Sequence, residues 1–176
     1  MLVNLLKSSE KMLVERNYEQ YKKDLDEVIS YIKILVTSGE TNEDLLVHNS
    51  DYAQKYMQVA NIFYEWFHTY LKEGKLLTAT SLCDISITLV MDACNGPLMD
   101  ACSGPLLVQM TECMKGFCDI LIQVAKRRNN VAKEYIFPRM NEFKNKAEKL
   151  NNIGKFKKIL LLEAWSPIFK EAKAAL

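Results

Sequence analysis

Apolar positions recur at helical spacing along the whole chain. In the first segment Val14, Tyr18, Tyr21, Leu25, Val28, Ile32 and Leu35 alternate steps of four and three, which keeps them on one stripe of a helix. The pattern predicts a helix over 8–38, closed by Gly39. Thr41, with Asp44 three residues on, resembles a capping box with Asp in place of Glu and opens a second helix over 42–73. That helix carries a heptad, Leu45, Tyr52, Val59 and Trp66 in one register and Asn49, Tyr56, Phe63 and Tyr70 in the other, a seam suited to shallow-angle packing. Gly74 disturbs the register. Leu76, Thr80, Cys83, Ile87, Val90 and Cys94 then resume the alternation over 75–95.

Met91-Asp-Ala-Cys-Asn-Gly-Pro-Leu98 is followed at once by Met99-Asp-Ala-Cys-Ser-Gly-Pro-Leu106, a tandem octapeptide differing at one position. Each copy carries a Gly-Pro pair that disfavours an uninterrupted helix, so the main inter-helix connection is placed here. Two copies are too few for a repeat architecture, and a lengthened, tolerated connection is preferred to a duplicated recognition loop. The longest seam follows: Leu107, Met110, Met114, Phe117, Leu121, Val124, Arg128, Val131 and Tyr135. It predicts one helix over 105–150, on the order of 65 Å long at about 1.5 Å per residue, kinked at Pro138. After Asn151-Asn152-Ile153-Gly154 a last helix runs over 155–175, with Pro167 inside it.

The expected fold class is therefore all-α: a single domain over 1–176, built as an elongated antiparallel helical bundle with coiled-coil-like heptad packing and a proline-kinked long helix. Long amphipathic helices in 176 residues leave a wide apolar stripe uncovered, so a homodimer is expected.

Composition narrows the class further. Apolar residues are 49% and charged residues 26%, with Gly 6 and Pro 4, which excludes disordered, collagenous and disulfide-rich mini-protein classes. No stretch reaches the roughly 18 uninterrupted apolar residues of a membrane span, and the N-terminus lacks a basic region ahead of its apolar patch. The five cysteines, Cys83, Cys94, Cys102, Cys113 and Cys118, are odd in number and lack metal or redox spacing. They are expected to be reduced, and the protein cytoplasmic, peripheral to membranes where it meets them.

Net charge is +1, but its distribution is uneven. Residues 1–125 hold 10 basic and 17 acidic side chains, net −7; residues 126–158 hold 11 basic and 3 acidic, net +8. A helical arm of that charge attracts a polyanionic surface, each Lys or Arg near an anionic bilayer contributing about 1 kcal/mol. The candidate lipid-binding residues are Lys126, Arg127, Arg128, Lys133, Arg139, Lys144, Lys146 and Lys149, oriented by the kink at Pro138. Arg128 lies on the apolar stripe, which gives it a partly structural role.

The run Gln123-Val-Ala-Lys-Arg-Arg-Asn-Asn-Val-Ala-Lys-Glu-Tyr-Ile-Phe-Pro-Arg-Met-Asn-Glu-Phe-Lys144, with Phe137, Pro138 and Phe143, resembles the long helix of the BAR superfamily, including its arfaptin-like and inverse-BAR branches. Tyr56 to Thr80 resembles the family's first long helix. The resemblance implies a dimeric scaffold that binds anionic membranes, with the residues after Gly154 as a shortened return helix.

Enzymatic signatures are absent. His48 and His68 are 20 residues apart, Glu65-Trp-Phe-His68 has no second Glu-x-x-His to pair with it in a carboxylate-bridged di-iron site, and there is no Gly-rich phosphate loop and no Ser/His/Asp set, so no catalysis, metal, cofactor or small-molecule substrate is expected. His68 reads as a partly buried helix residue. Tyr52, Tyr56, Phe63, Tyr64, Trp66, Phe67 and Tyr70 read as core before they read as base-stacking platforms, and the methionines as adaptable packing. Leu2, Val3, Leu5 and Leu6 with Lys7 read equally as a short amphipathic segment at a lipid interface, as a fraying terminus and as a dimer contact. The function expected is a membrane-associated scaffold. A helical adaptor for a partner protein's helix is the alternative, and nucleic-acid binding through the same arm ranks below it.

Overall fold

The computed structural model describes residues 2–37, 49–94, 104–150 and 153–176, and every regular element among them is helical. The order is α1 (Leu2–Val14), α2 (Tyr18–Thr37), α3 (Asn49–Lys72), α4 (Leu76–Ala93) and α5 (Gly104–Arg127), then a short stretch Asn129–Val131 running into a π-helical turn Ala132–Ile136, α6 (Phe137–Glu148) and α7 (Lys155–Ala175). The all-α expectation holds. The proposed capping box at Thr41 and most of the octapeptide duplication lie outside the described residues.

The organising element is α4. Every residue from Ala79 to Met91 is buried, because α1, α2, α3 and α5 all pack on it. A helix apolar on all sides needs such an enclosure. By length and composition Leu76–Ala93 is also apolar enough to cross a membrane, but here it is the core helix of the bundle. Several of its buried hydroxyls donate to backbone carbonyls: Thr80 to Leu76 O at 2.8 Å and Thr88 to Asp84 O at 2.7 Å within the helix, and Ser86 to Ala60 O on α3 at 2.8 Å.

On α3 the buried face is Tyr56, Ala60, Phe63 and Phe67, which follows the 3.6-residue period of a straight helix. Of the two heptad registers the second enters the core through Tyr56 and Phe63. In the first, Val59 is half-buried and Trp66 is 46% exposed. Helix α5 approaches this face closely at Gly116, where a Cβ would lie 2.9 Å from the Phe67 ring.

Two expected helices are each divided. The first breaks at Arg16, which takes a left-handed φ of 61°, and Asn17 then accepts from the Gln20 N–H at 3.4 Å as α2 begins. The break folds α1 back on α2 and α4. The helix expected over 105–150 divides at Arg128 (φ −141°, ψ 67°). The Phe117 and Phe143 rings lie 5.7 Å apart, whereas 26 residues of continuous helix would separate them by about 39 Å. Folding back buries both rings, which a single extended arm leaves uncovered. Pro138 falls in the first turn of α6, directly after the π-helical turn. Its ring would crowd the carbonyl of Glu134 four residues earlier, and the wider i→i+5 turn gives that carbonyl room.

Helix α7 returns along α6 and seals α5. Lys158 donates to the Glu148 carbonyl at 3.1 Å near one end, and Phe137 meets Phe169 at 6.3 Å toward the other. Trp165 is fully buried and donates to Thr111 Oγ1 at 3.1 Å.

Cys83, Cys113 and Cys118 are free and buried, but Cys94 is disulfide-bonded, which overturns the expectation of five reduced thiols. Helical spacing shows which cysteines face the core; it does not show which sulfur another chain segment reaches. Cys94 stands at the end of α4, where the helix stops.

Candidate functional site

Two of the arm's three acidic residues, Glu134 and Glu142, are paired with groups elsewhere in the fold. Glu134 accepts from Arg16 Nε at 2.9 Å, pairs with the same guanidinium through Nη2, and accepts from the Tyr18 hydroxyl at 2.7 Å. The hydrogen bonds from Arg16 and then Tyr18 hold the Glu134 carboxyl below the usual carboxylate range. Glu142 pairs with Lys22 and accepts from Arg139 Nη1 at 2.7 Å. Partial burial alone would raise its carboxyl, and these two cations overcome that and hold it below the usual range.

Most of the arm's cations, Arg139 apart, are thereby left without a carboxylate partner among the described residues. Among the described residues Lys126, Arg127, Arg128, Lys133 and Lys149 are exposed and form no ion pair. Lys146 is exposed, with its ammonium 5.6 Å from the centre of the Phe143 ring. Lys144 is half-buried, 5.4 Å from the centre of Phe169. Arg127 and Arg128 come together at the end of α5, on the rim of a cleft against α1 and the start of α4. Arg128 is exposed at the turn rather than set in an apolar seam.

Arg139 is a correction. Its side chain is 9% exposed and forks onto Asp84, Nε to Oδ2 at 3.0 Å and Nη2 to Oδ1 at 2.9 Å. A guanidinium so enclosed does not reach a membrane surface, so Arg139 leaves the lipid-binding set. Tyr135 donates to Asp84 Oδ2 at 2.5 Å and Thr88 to Oδ1 at 3.3 Å, completing the carboxylate's partners. Tyr21 packs edge-on against Tyr135 at 4.8 Å and shares a hydrogen bond with Ser81 at 2.7 Å. Burial pushes the Tyr21 and Tyr135 hydroxyls well above their ordinary value, with the Asp84 charge adding to the effect. Every group here has a partner within the protein, so the cluster clamps α4 to the π-helical turn and α6.

His68 is exposed rather than partly buried, and packs edge-on against Tyr64 at 4.5 Å. The buried thiols are poor nucleophiles: burial pushes Cys113 up to about 12, and Cys83 well above its ordinary value. No group of three metal-ligating side chains occurs among the described residues.

Periodicity did not expose the Arg16–Glu134 pair, 118 residues apart, or the Asp84–Arg139 pair, 55 apart. An Asp in the middle of an apolar helix was the available signal for the second, since a buried carboxylate requires a partner. Lys75, at the mouth of the same cleft as Arg127, carried no signal in a sequence where lysine is common.

No family model matches this chain, and neither a curated protein nor a solved structure matches it.

Proposed function

We propose that the protein is a non-enzymatic, peripheral helical module that binds anionic phospholipid surfaces through the cations of residues 126–158 and pairs with a second copy of itself. The observation that carries this reading is the neutralisation of Glu134 and Glu142 by Arg16, Lys22 and Arg139, which leaves Lys126, Arg127, Arg128, Lys133 and Lys149 exposed and without an ion pair among the described residues. Lys146 adds to the same charge, with Lys144 contributing from its half-buried position. Such residues attract an anionic bilayer with a strength that salt screens over about 10 Å at 0.1 M.

Apolar residues stand exposed among further cations at the start of α7. Phe156 is 73% exposed beside Lys155 and Lys157, and Leu160 borders Val108 of α5. Large apolar side chains flanked by lysine suit insertion at the headgroup level. The BAR-like arm contributes its surface chemistry to this reading; its run Gln123–Lys144 spans the turn at Arg128 and the π-helical turn.

The test is co-sedimentation with phosphatidylcholine vesicles with and without phosphatidylserine, at two salt concentrations. The parent is expected to bind the anionic vesicles and to lose binding at high salt. Lys133→Glu, Lys146→Glu and Lys149→Glu together weaken binding at least about tenfold while the circular dichroism spectrum is kept. A parent that ignores anionic vesicles overturns the reading in favour of a protein-binding adaptor, and a steep salt-dependent affinity for RNA or DNA alone overturns it in favour of nucleic acid.

A further inference from the structure

A cleft of about 900 Å³ opens between α1, the turn from α3 into α4, and the end of α5. That volume is within the range of sites that hold a small organic ligand. Its lining brings four cations together from three places in the chain: Lys7, Lys75, Arg127 and Arg128. Glu10, the one carboxylate of the lining, accepts a hydrogen bond from Thr78 Oγ1, and Lys75 also pairs with Glu73 at 3.2 Å outside the cleft. The inner wall is apolar, with Leu76 and Val124 buried behind the charged rim.

Converging cations over an apolar wall fit a ligand with concentrated negative charge and a less polar body. Two arginines next to each other suit phosphate oxygens, which their planar groups bind in pairs. A flat anionic surface does not use the depth of the cleft; a protruding phosphate monoester does.

We infer that this cleft is a headgroup site for a phosphate monoester carried on a phospholipid, seated among Lys7, Lys75, Arg127 and Arg128. The inference rests on the surface-binding reading and deepens it: residues 126–158 supply general attraction to anionic bilayers, and the cleft selects headgroups that bear a terminal phosphate. The same chemistry is offered by a soluble phosphate monoester, and the test separates the two sources.

The experiment compares vesicles matched in surface charge, one set containing phosphatidylserine and the other phosphatidylinositol 4,5-bisphosphate, with inositol 1,4,5-trisphosphate as soluble competitor. Two variants are used: a cleft variant, Lys7→Gln with Lys75→Gln, and a surface variant, Lys133→Gln with Lys146→Gln and Lys149→Gln. All five positions are exposed, so both variants are expected to melt with the parent. The parent should prefer the phosphoinositide vesicles, and the competitor should remove that preference. The cleft variant should lose the preference by about tenfold while keeping its phosphatidylserine binding within about twofold. The surface variant should lose binding to both vesicle types together. Equal binding to the two vesicle types by the parent, or equal losses on both by the cleft variant, overturns the headgroup site and leaves the surface reading standing. Binding of the soluble competitor by a parent that ignores every vesicle keeps the phosphate site, and overturns both its lipid source and the surface reading.

Discussion

Arg139 closes both oxygens of Asp84 in the centre of the bundle, 55 residues away along the chain and on the opposite side of a turn that reverses the chain. One partner lies on the core helix α4 and the other on α6, so the pair ties the second half of the protein to the first. Removing one partner strands a buried charge. Asp84→Asn or Arg139→Met is expected to cost about 3–5 kcal/mol in urea unfolding, and Asp84→Leu with Arg139→Met together should cost less than the sum of the separate changes. Additive losses would show that the two charges act independently.

Gly116 gives a packing test where α5 meets α3 and α4. Alanine raises helix propensity by about 1 kcal/mol, but its Cβ would sit 2.9 Å from the buried Phe67 ring and 3.4 Å from Cys83 Sγ. Because both neighbours are held in the core, overpacking is expected to win, and Gly116→Ala should destabilise by about 1–3 kcal/mol. An unchanged or raised Tm would mean that α5 shifts away from α3 at no cost.

The carboxyl of Glu142 is held below the usual range, as is that of Glu134. A depressed folded value means that the stabilisation is present above the unfolded carboxylate value of about 4.3 and is lost as pH falls through the folded value. Between about pH 6 and pH 3 the parent's Tm should therefore fall more steeply than that of Glu142→Gln. Parallel curves would show that the contacts from Lys22 and Arg139 do not depend on ionisation.

The exposed side of α3 offers a surface for self-association. Ile62 and Trp66 are about half exposed there, at 45% and 46%. If two copies meet through them, sedimentation velocity should show a dimer for the parent and a monomer for Ile62→Ser with Trp66→Ser. A parent that sediments as a monomer across the accessible concentration range removes the dimer from the proposal.

Periodicity was sufficient for the helical class, because apolar residues at steps of three and four fold into helices whichever partners they meet. Seams alone do not reveal where a seam stops being straight. Leu107 to Tyr135 keeps its spacing through Arg128, and yet the chain reverses there, since bringing Phe117 onto Phe143 buries more apolar surface than an extended arm does. Arg16 hides the first break in the same way, a left-handed residue with none of the glycine that usually marks one.

The sequence by itself determined the all-helical composition and the excess of positive charge in residues 126–158, because both are sums over residue types and spacings. Tertiary structure alone decided which of those charges remain available. Arg139 and Lys133 are equally basic and six residues apart, but one is enclosed against Asp84 and the other stands in solvent. Burial and pairing depend on what is brought alongside, and neither Arg16, Lys22 nor Asp84 is near the arm until the chain has folded.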